Sequence, residues 1–76
     1  MGTLETRKIT VRVNGEKKEL DREMNLLDLL KEFAIRRDSV VLELNRRIVG
    51  RTRFETTYLT DGDSLEIVHF IGGGQR

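Results

Sequence analysis

Very little in this 76-residue chain is equipped to do chemistry. It has one histidine, His69, and no cysteine. A lone histidine has no second ligand to hold a metal with, and no acid or nucleophile accompanies it in the sequence, so His69 reads as a structural residue. Asp61 and Asp63 flank Gly62, which is turn chemistry before it is anything else. Without cysteine there can be no disulfide and no cysteine zinc cluster, and the chain has no side-chain thiol. No metal, cofactor or catalytic residue is expected. What remains is the run Gly72-Gly73-Gly74, followed by Gln75 and Arg76. Three consecutive glycines hold no regular structure, and alone they would read as a frayed end.

The totals bound the answer further. Fourteen Lys and Arg against thirteen Asp and Glu leave a formal charge of +1, which argues against a nucleic-acid partner. The longest apolar runs, such as Val40-Val41-Leu42, are far too short to span a membrane, and Met1 to Thr6 has no apolar signal core. A cytoplasmic single domain is the expectation. With 37% hydrophobic residues, an ordinary apolar core must hold so small a fold together.

The pattern of residues says which elements carry the glycines. Arg7 to Val13 alternates, with Ile9, Val11 and Val13 on one side, as in a half-buried strand. Asn14-Gly15 is a strong hairpin signal, and Glu16 to Leu20 reads as the returning strand. Leu26, Leu29, Leu30 and Phe33 then recur at helical spacing, widened by Leu27 and Ala34, which predicts a helix over 26–34. Asn25 is its N-cap, and Asp28 three residues on approximates a capping box. Val40 to Leu44 reads as a strand, Asn45-Arg46-Arg47 as a turn, and Ile48-Val49 as a short strand. Arg51 to Leu59 is irregular, with room for a brief helical turn. Asp61-Gly62-Asp63 turns the chain into a last strand, Ser64 to Ile71, in which Leu65 and Ile67 oppose Glu66, Val68 and Phe70.

Hairpin, helix, strand, short strand and strand predict an α+β roll, a mixed sheet of four to five strands packed on one main helix. With a glycine tail after the last strand, the arrangement resembles the ubiquitin-like β-grasp. The expected division is a flexible N-terminus over 1–6, the β-grasp domain over 7–71 and a flexible glycine-rich tail over 72–76.

Particular stretches resemble one family. Val13-Asn14-Gly15-Glu16, Asn25 to Leu30, Val41 to Val49 and above all Asp61-Gly62-Asp63 through Gly74 resemble the ThiS sulfur carriers of thiamine biosynthesis. The MoaD small subunits of molybdopterin synthase are the nearest relatives of that group. The resemblance covers nearly all of residues 8–74, and its specific part is the acidic turn, strand and glycines at fixed spacing.

What the resemblance implies is a carrier, not an enzyme. A C-terminal carboxylate is ionised at neutral pH, with an unperturbed pKa of about 3.5, and is a poor electrophile until activated. An ATP-dependent adenylating enzyme would join it to AMP, and sulfur from a persulfide donor protein would convert it to a thiocarboxylate. Thiazole synthase would then accept the sulfur. The resemblance puts the reacting carboxylate on Gly74, with Gly73 the alternative, and makes Gly72 and Gly73 the slender tail that threads a narrow channel. Gln75 and Arg76 depart from the pattern, because an amide-linked Gly74 has no carboxylate. Either a peptidase trims the two residues, or they are not native, or the chain is inactive in this form.

A carrier must also dock beside its tail. If Leu65 and Ile67 face the helix, Val68 and Phe70 lie on the outer face and form an apolar docking patch. Arg46, Arg47, Arg51 and Arg53 read first as a solvated face, with steering of an acidic partner surface the alternative. Three other readings compete. One is a carrier for molybdopterin or another thiocarboxylate route, although the chain lacks the proline those relatives carry before their glycines. Another is a ubiquitin-like binding module whose tail is never activated. The third, an RNA-binding domain, is disfavoured by the charge and by the lack of aromatics interleaved on a basic strand.

Overall fold

The computed structural model of the protein describes residues 8–21 and 23–70. The segments expected to be flexible, 1–6 and 72–76, lie outside these residues, as does Ile71. Strands β1 (Ile9–Val13) and β2 (Glu16–Leu20) pair antiparallel across Asn14 and Gly15, whose φ angles are 51° and 84°. Both angles lie in the left-handed region that this tight turn demands. Ile9, Val11 and Val13 are buried, and the charges of β2 are exposed. β2 is an edge strand, where Lys and Glu side chains discourage pairing with another sheet.

Helix α1 spans Leu26–Glu32, with Leu26, Leu29 and Leu30 fully buried. The Asn25 side chain caps it by accepting a hydrogen bond from the Asp28 backbone N–H at 2.7 Å. The helix ends two residues before the periodicity predicts, because Ala34 takes a left-handed φ of 58°. The Ala34 N–H donates to the Lys31 carbonyl at 3.1 Å and the Ile35 N–H to the Leu30 carbonyl at 2.8 Å. That double closure satisfies the last carbonyls of the helix and leaves Ala34 exposed, outside the apolar stripe.

Strand β3 (Val40–Leu44) pairs antiparallel with β4 (Arg47–Val49) and with β5 (Ser64–His69). The five-stranded sheet has the order β2-β1-β5-β3-β4, with a parallel pairing of β1 and β5 at its centre. This is the mixed sheet expected of a β-grasp. Its inner face contributes Val11, Val40, Leu42, Leu65 and Ile67 to the core beneath α1.

The irregular stretch does more than the sequence pattern suggested. A short 3-10 helix over Arg51–Arg53 leads into Phe54, which is fully buried, and Leu59 is fully buried beyond it. The Leu26 N–H donates to the Thr57 carbonyl at 3.0 Å and the Leu27 N–H to the Phe54 carbonyl at 3.3 Å. These are N–H groups of the first helical turn, which have no partner within a helix. The loop therefore fills the core and completes the helix start together.

Candidate functional site: the base of the tail

The last described strand, β5, sets where the glycine tail begins, and its two ends are built differently. At its start, the acidic turn acts as a knot. The Asp61 carboxylate accepts from the Thr10 N–H at 2.8 Å, and the Gly62 N–H donates to the Thr10 carbonyl at 2.8 Å. Gly62 has φ of 91°, a conformation that side-chain-bearing residues rarely adopt. One Asp63 oxygen accepts from the Thr60 N–H at 2.9 Å and its hydroxyl at 3.3 Å, and the other from the Asn45 side-chain amide at 3.0 Å. The two carboxylates thus have the turn role read from the sequence.

Two asparagines extend the sheet with their side chains. Asn45 accepts from the Ser64 N–H at 2.9 Å and donates its own backbone N–H to the Ser64 carbonyl at 2.8 Å. Asn14 accepts from the Ile67 N–H at 2.7 Å and donates to the Ile67 carbonyl at 3.3 Å, so β1 continues to grip β5 past its own last residue. Both asparagines sit at left-handed φ in hairpin turns, which frees their side chains to act as strand segments.

The far end of β5 is bare by contrast. Leu65 and Ile67 are buried, so Val68 and Phe70 face outward, 52% and 49% exposed. The face assignment made from the alternation is correct. Among the described loop residues, Arg51 lies over the Phe70 ring. Among the described residues, the strand beyond Ile67 is flanked by β3 alone, where Val41 pairs with Val68 and Val40 with His69, and the Phe70 N–H donates to the Ser39 carbonyl at 3.0 Å. His69 is exposed. Gly72, Gly73 and Gly74 lie outside the described residues, as do Gln75 and Arg76.

The sequence reading missed two members of the outward face. Val41 lies directly opposite Val68, and Ile48 on β4 is 70% exposed. A signal existed in Val40-Val41-Leu42, since three apolar residues in a row on a strand must put at least one on the outer face. The arginine cluster divides along β4. Arg46 and Arg47 sit at the β3–β4 turn, whereas Arg51 reaches the tail end, with its guanidinium carbon 5.9 Å from the centre of the Phe70 ring. Among the described residues, no group of His, Cys, Asp or Glu is placed to hold a metal, and no helix is long and apolar enough to cross a membrane.

Fold and site together define a ubiquitin-like β-grasp domain whose last strand leads from a fixed turn past an exposed apolar patch to a glycine tail. The model of the ThiS family matches residues 11–74, and the chain belongs to that family of small sulfur carriers, which are not enzymes. It is 43% identical over 47 residues to the sulfur carrier protein ThiS of Bacillus subtilis, covering 62% of this chain and 71% of that one. The crystal structure of the thiamine biosynthesis protein ThiS from Geobacter metallireducens superposes with a TM-score of 0.77 at 32% identity, covering 87% of this chain and all of the other. A thiazole synthase of Paramagnetospirillum magneticum is 39% identical over 62 residues, a match spanning 82% of this chain and 19% of that longer protein.

Proposed function

We propose that this chain carries sulfur for thiazole formation as a thiocarboxylate on Gly74. The observation that carries the reading is where the family match stops. It runs through the anchored β5 and ends at Gly74, leaving Gln75 and Arg76 beyond it. In this cycle a carboxylate oxygen of Gly74 attacks the α-phosphorus of ATP and pyrophosphate leaves, giving an acyl adenylate. A donor-protein persulfide displaces AMP, and a thiol then reduces the resulting acyl disulfide, releasing the thiocarboxylate. Glycine suits this step because its carbonyl has no side chain to block the approaching sulfur.

Val68 and Phe70, at the root of the tail, dock the adenylating enzyme and so bring Gly74 within reach of ATP. Thiazole synthase is the acceptor. The thiazole synthase of Paramagnetospirillum magneticum includes a segment similar to most of this chain, which supports a physical pairing of the two activities. A peptidase removes Gln75 and Arg76 before activation, and the cycle operates in the cytoplasm.

The test is mass spectrometry on a chain ending at Gly74, incubated with the adenylating enzyme, ATP and a persulfide donor. One oxygen-for-sulfur exchange should appear, and fragmentation should assign it to Gly74. A chain that binds the enzyme yet never acquires sulfur would favour the binding-module reading instead.

A further inference from the structure

The chain has three asparagines, Asn14, Asn25 and Asn45, and each side chain accepts a backbone N–H. Asn14 alone precedes a glycine. The backbone nitrogen after an asparagine can attack its side-chain amide carbon, and a side chain on the following residue hinders that ring closure. Gly15 offers no such hindrance: it is exposed, and a Cβ built on it would meet nothing within 4 Å. Asn25 is followed by the buried Leu26, and Asn45 by Arg46. The Asn14 amide also has a place in the sheet that β1 itself cannot fill. Ser64 and Phe70 bond toward β3, the first with the Asn45 N–H at 2.8 Å and the second with the Ser39 carbonyl at 3.0 Å. The Leu65 carbonyl instead accepts from the Asn14 N–H at 2.9 Å, on the β1 side. Alternation along the strand turns Ile67 toward β1 as well. β1 ends at Val13, so the Asn14 amide stands in for the missing peptide group, accepting from the Ile67 N–H at 2.7 Å and donating to its carbonyl at 3.3 Å. Beyond it, among the described residues, β3 alone flanks the strand.

We infer that Asn14 is a site of spontaneous deamidation, and that its conversion permanently unfastens the β1 side of the strand end that carries the tail. The Gly15 nitrogen loses its proton and bonds to the Asn14 side-chain carbon, and the amide nitrogen leaves that carbon as ammonia. One water then opens the five-membered imide at either of its carbonyl–nitrogen bonds. Cleavage at one bond gives aspartate, and at the other isoaspartate, in which the main chain runs through the former side-chain carbon. One water is consumed and one ammonia released. No partner, cofactor or oxidant takes part, so the step stands apart from the proposed sulfur transfer. While Ile67 holds the amide, it is not free to turn toward Gly15, and reaction waits for this end of the hairpin to open. A carboxylate has no N–H to donate, so neither product can make both Ile67 bonds again. Isoaspartate also adds a backbone atom to a two-residue turn whose length sets the strand register.

The experiment incubates the full chain at mildly alkaline pH, digests it and maps the peptides by mass. The peptide holding Asn14 should gain the mass of one amide-to-acid conversion while those holding Asn25 and Asn45 stay unchanged. Concentrated urea should speed the conversion at least about tenfold, because it frees the amide from Ile67. Amide hydrogen exchange then reads the release. It is followed in the isoaspartate form, separated by chromatography, and in Asn14→Gly, which keeps the left-handed turn and deletes the amide. In both, the Ile67 N–H should exchange at least about tenfold faster, while Glu66 and Val68, whose N–H groups face β3, should keep their rates. Conversion first at Asn25 or Asn45, equal rates with and without urea, or conversion confined to the unfolded chain would overturn the assignment of the site. Equal acceleration at Ile67, Glu66 and Val68 would overturn the local release, since it would mean that Asn14 supports the whole fold.

Discussion

The two ends of β5 were made for different work. From Asp61 to Ser64 the chain is tied inward: two carboxylates and the Asn45 side chain bind the turn to β1 and to the β3–β4 hairpin. From Val68 to Phe70 the strand has, among the described residues, β3 as its one neighbour, and Val68 and Phe70 are about half exposed. The first end spends its chemistry on internal bonds, and the second leaves its chemistry unspent. A small carrier needs both, since a tail can be aimed only from a strand that does not itself move. The six residues of β5 separate the two tasks by roughly 20 Å at the usual strand rise.

Charging the bare end should produce the largest functional loss. Phe70→Asp and Val68→Asp each place a carboxylate in the proposed docking patch. Activation of a chain ending at Gly74 should fall by at least about thirtyfold, equivalent to about 2 kcal/mol at a binding hot spot. Stability should move by no more than about 0.5 kcal/mol, because both side chains are already half exposed. Urea unfolding alongside an ATP–pyrophosphate exchange assay checks both halves. Unfolding of either variant would mean that these residues support the fold rather than a partner.

The opposite pattern is expected at the knot. Asp63→Ala removes the acceptor for the Thr60 N–H and hydroxyl and for the Asn45 amide, and should destabilise by about 2 kcal/mol in urea titration. Once corrected for the fraction folded, its activation should remain near normal. A selective loss of activation in folded Asp63→Ala would erase the division between the two ends.

Much of this molecule was legible in the sequence. Alternation in residues 9–13 and 64–70 assigned the faces of β1 and β5 correctly, and Asn14-Gly15 and Asp61-Gly62-Asp63 announced their turns. Periodicity could not show that Ala34 would adopt a left-handed backbone, because that closure depends on bonds to Lys31 and Leu30. Nor could it show that Phe54, in a stretch with no period, would sit fully buried in the core; isolated aromatic residues in loops carry no repeating signal. The run Val40-Val41-Leu42 signalled an outward apolar residue, but Ile48 joined the outer face only once its register opposite Glu43 was known. The pairing of Glu43 with Glu66 lies beyond any single-strand reading, since it arises from two segments 23 positions apart in register.

A smaller effect distinguishes the two hairpin turns. Asn14 is followed by Gly15, but Asn45 is followed by Arg46, which holds φ of 74° at the position where its counterpart is glycine. That conformation costs a side-chain-bearing residue about 1–2 kcal/mol. Arg46→Gly should therefore stabilise the fold by about 0.5–1 kcal/mol, after the greater freedom of glycine in the unfolded chain is subtracted. Thermal or urea unfolding of the single variant reads this directly, and a destabilised Arg46→Gly would show that the arginine side chain contributes contacts outweighing its strain.

The proposed sulfur transfer turns on which residue bears the reacting carboxylate, and one paired measurement addresses it. The chain ending at Arg76 and the chain ending at Gly74 are incubated separately with the adenylating enzyme, ATP and a persulfide donor, and their masses are followed in time. Sulfur should enter only the chain ending at Gly74, because the longer one has an amide where the carboxylate must be and a long charged residue at its tip. Full-length protein thiocarboxylated at Arg76 as rapidly as the shortened form would contradict the account.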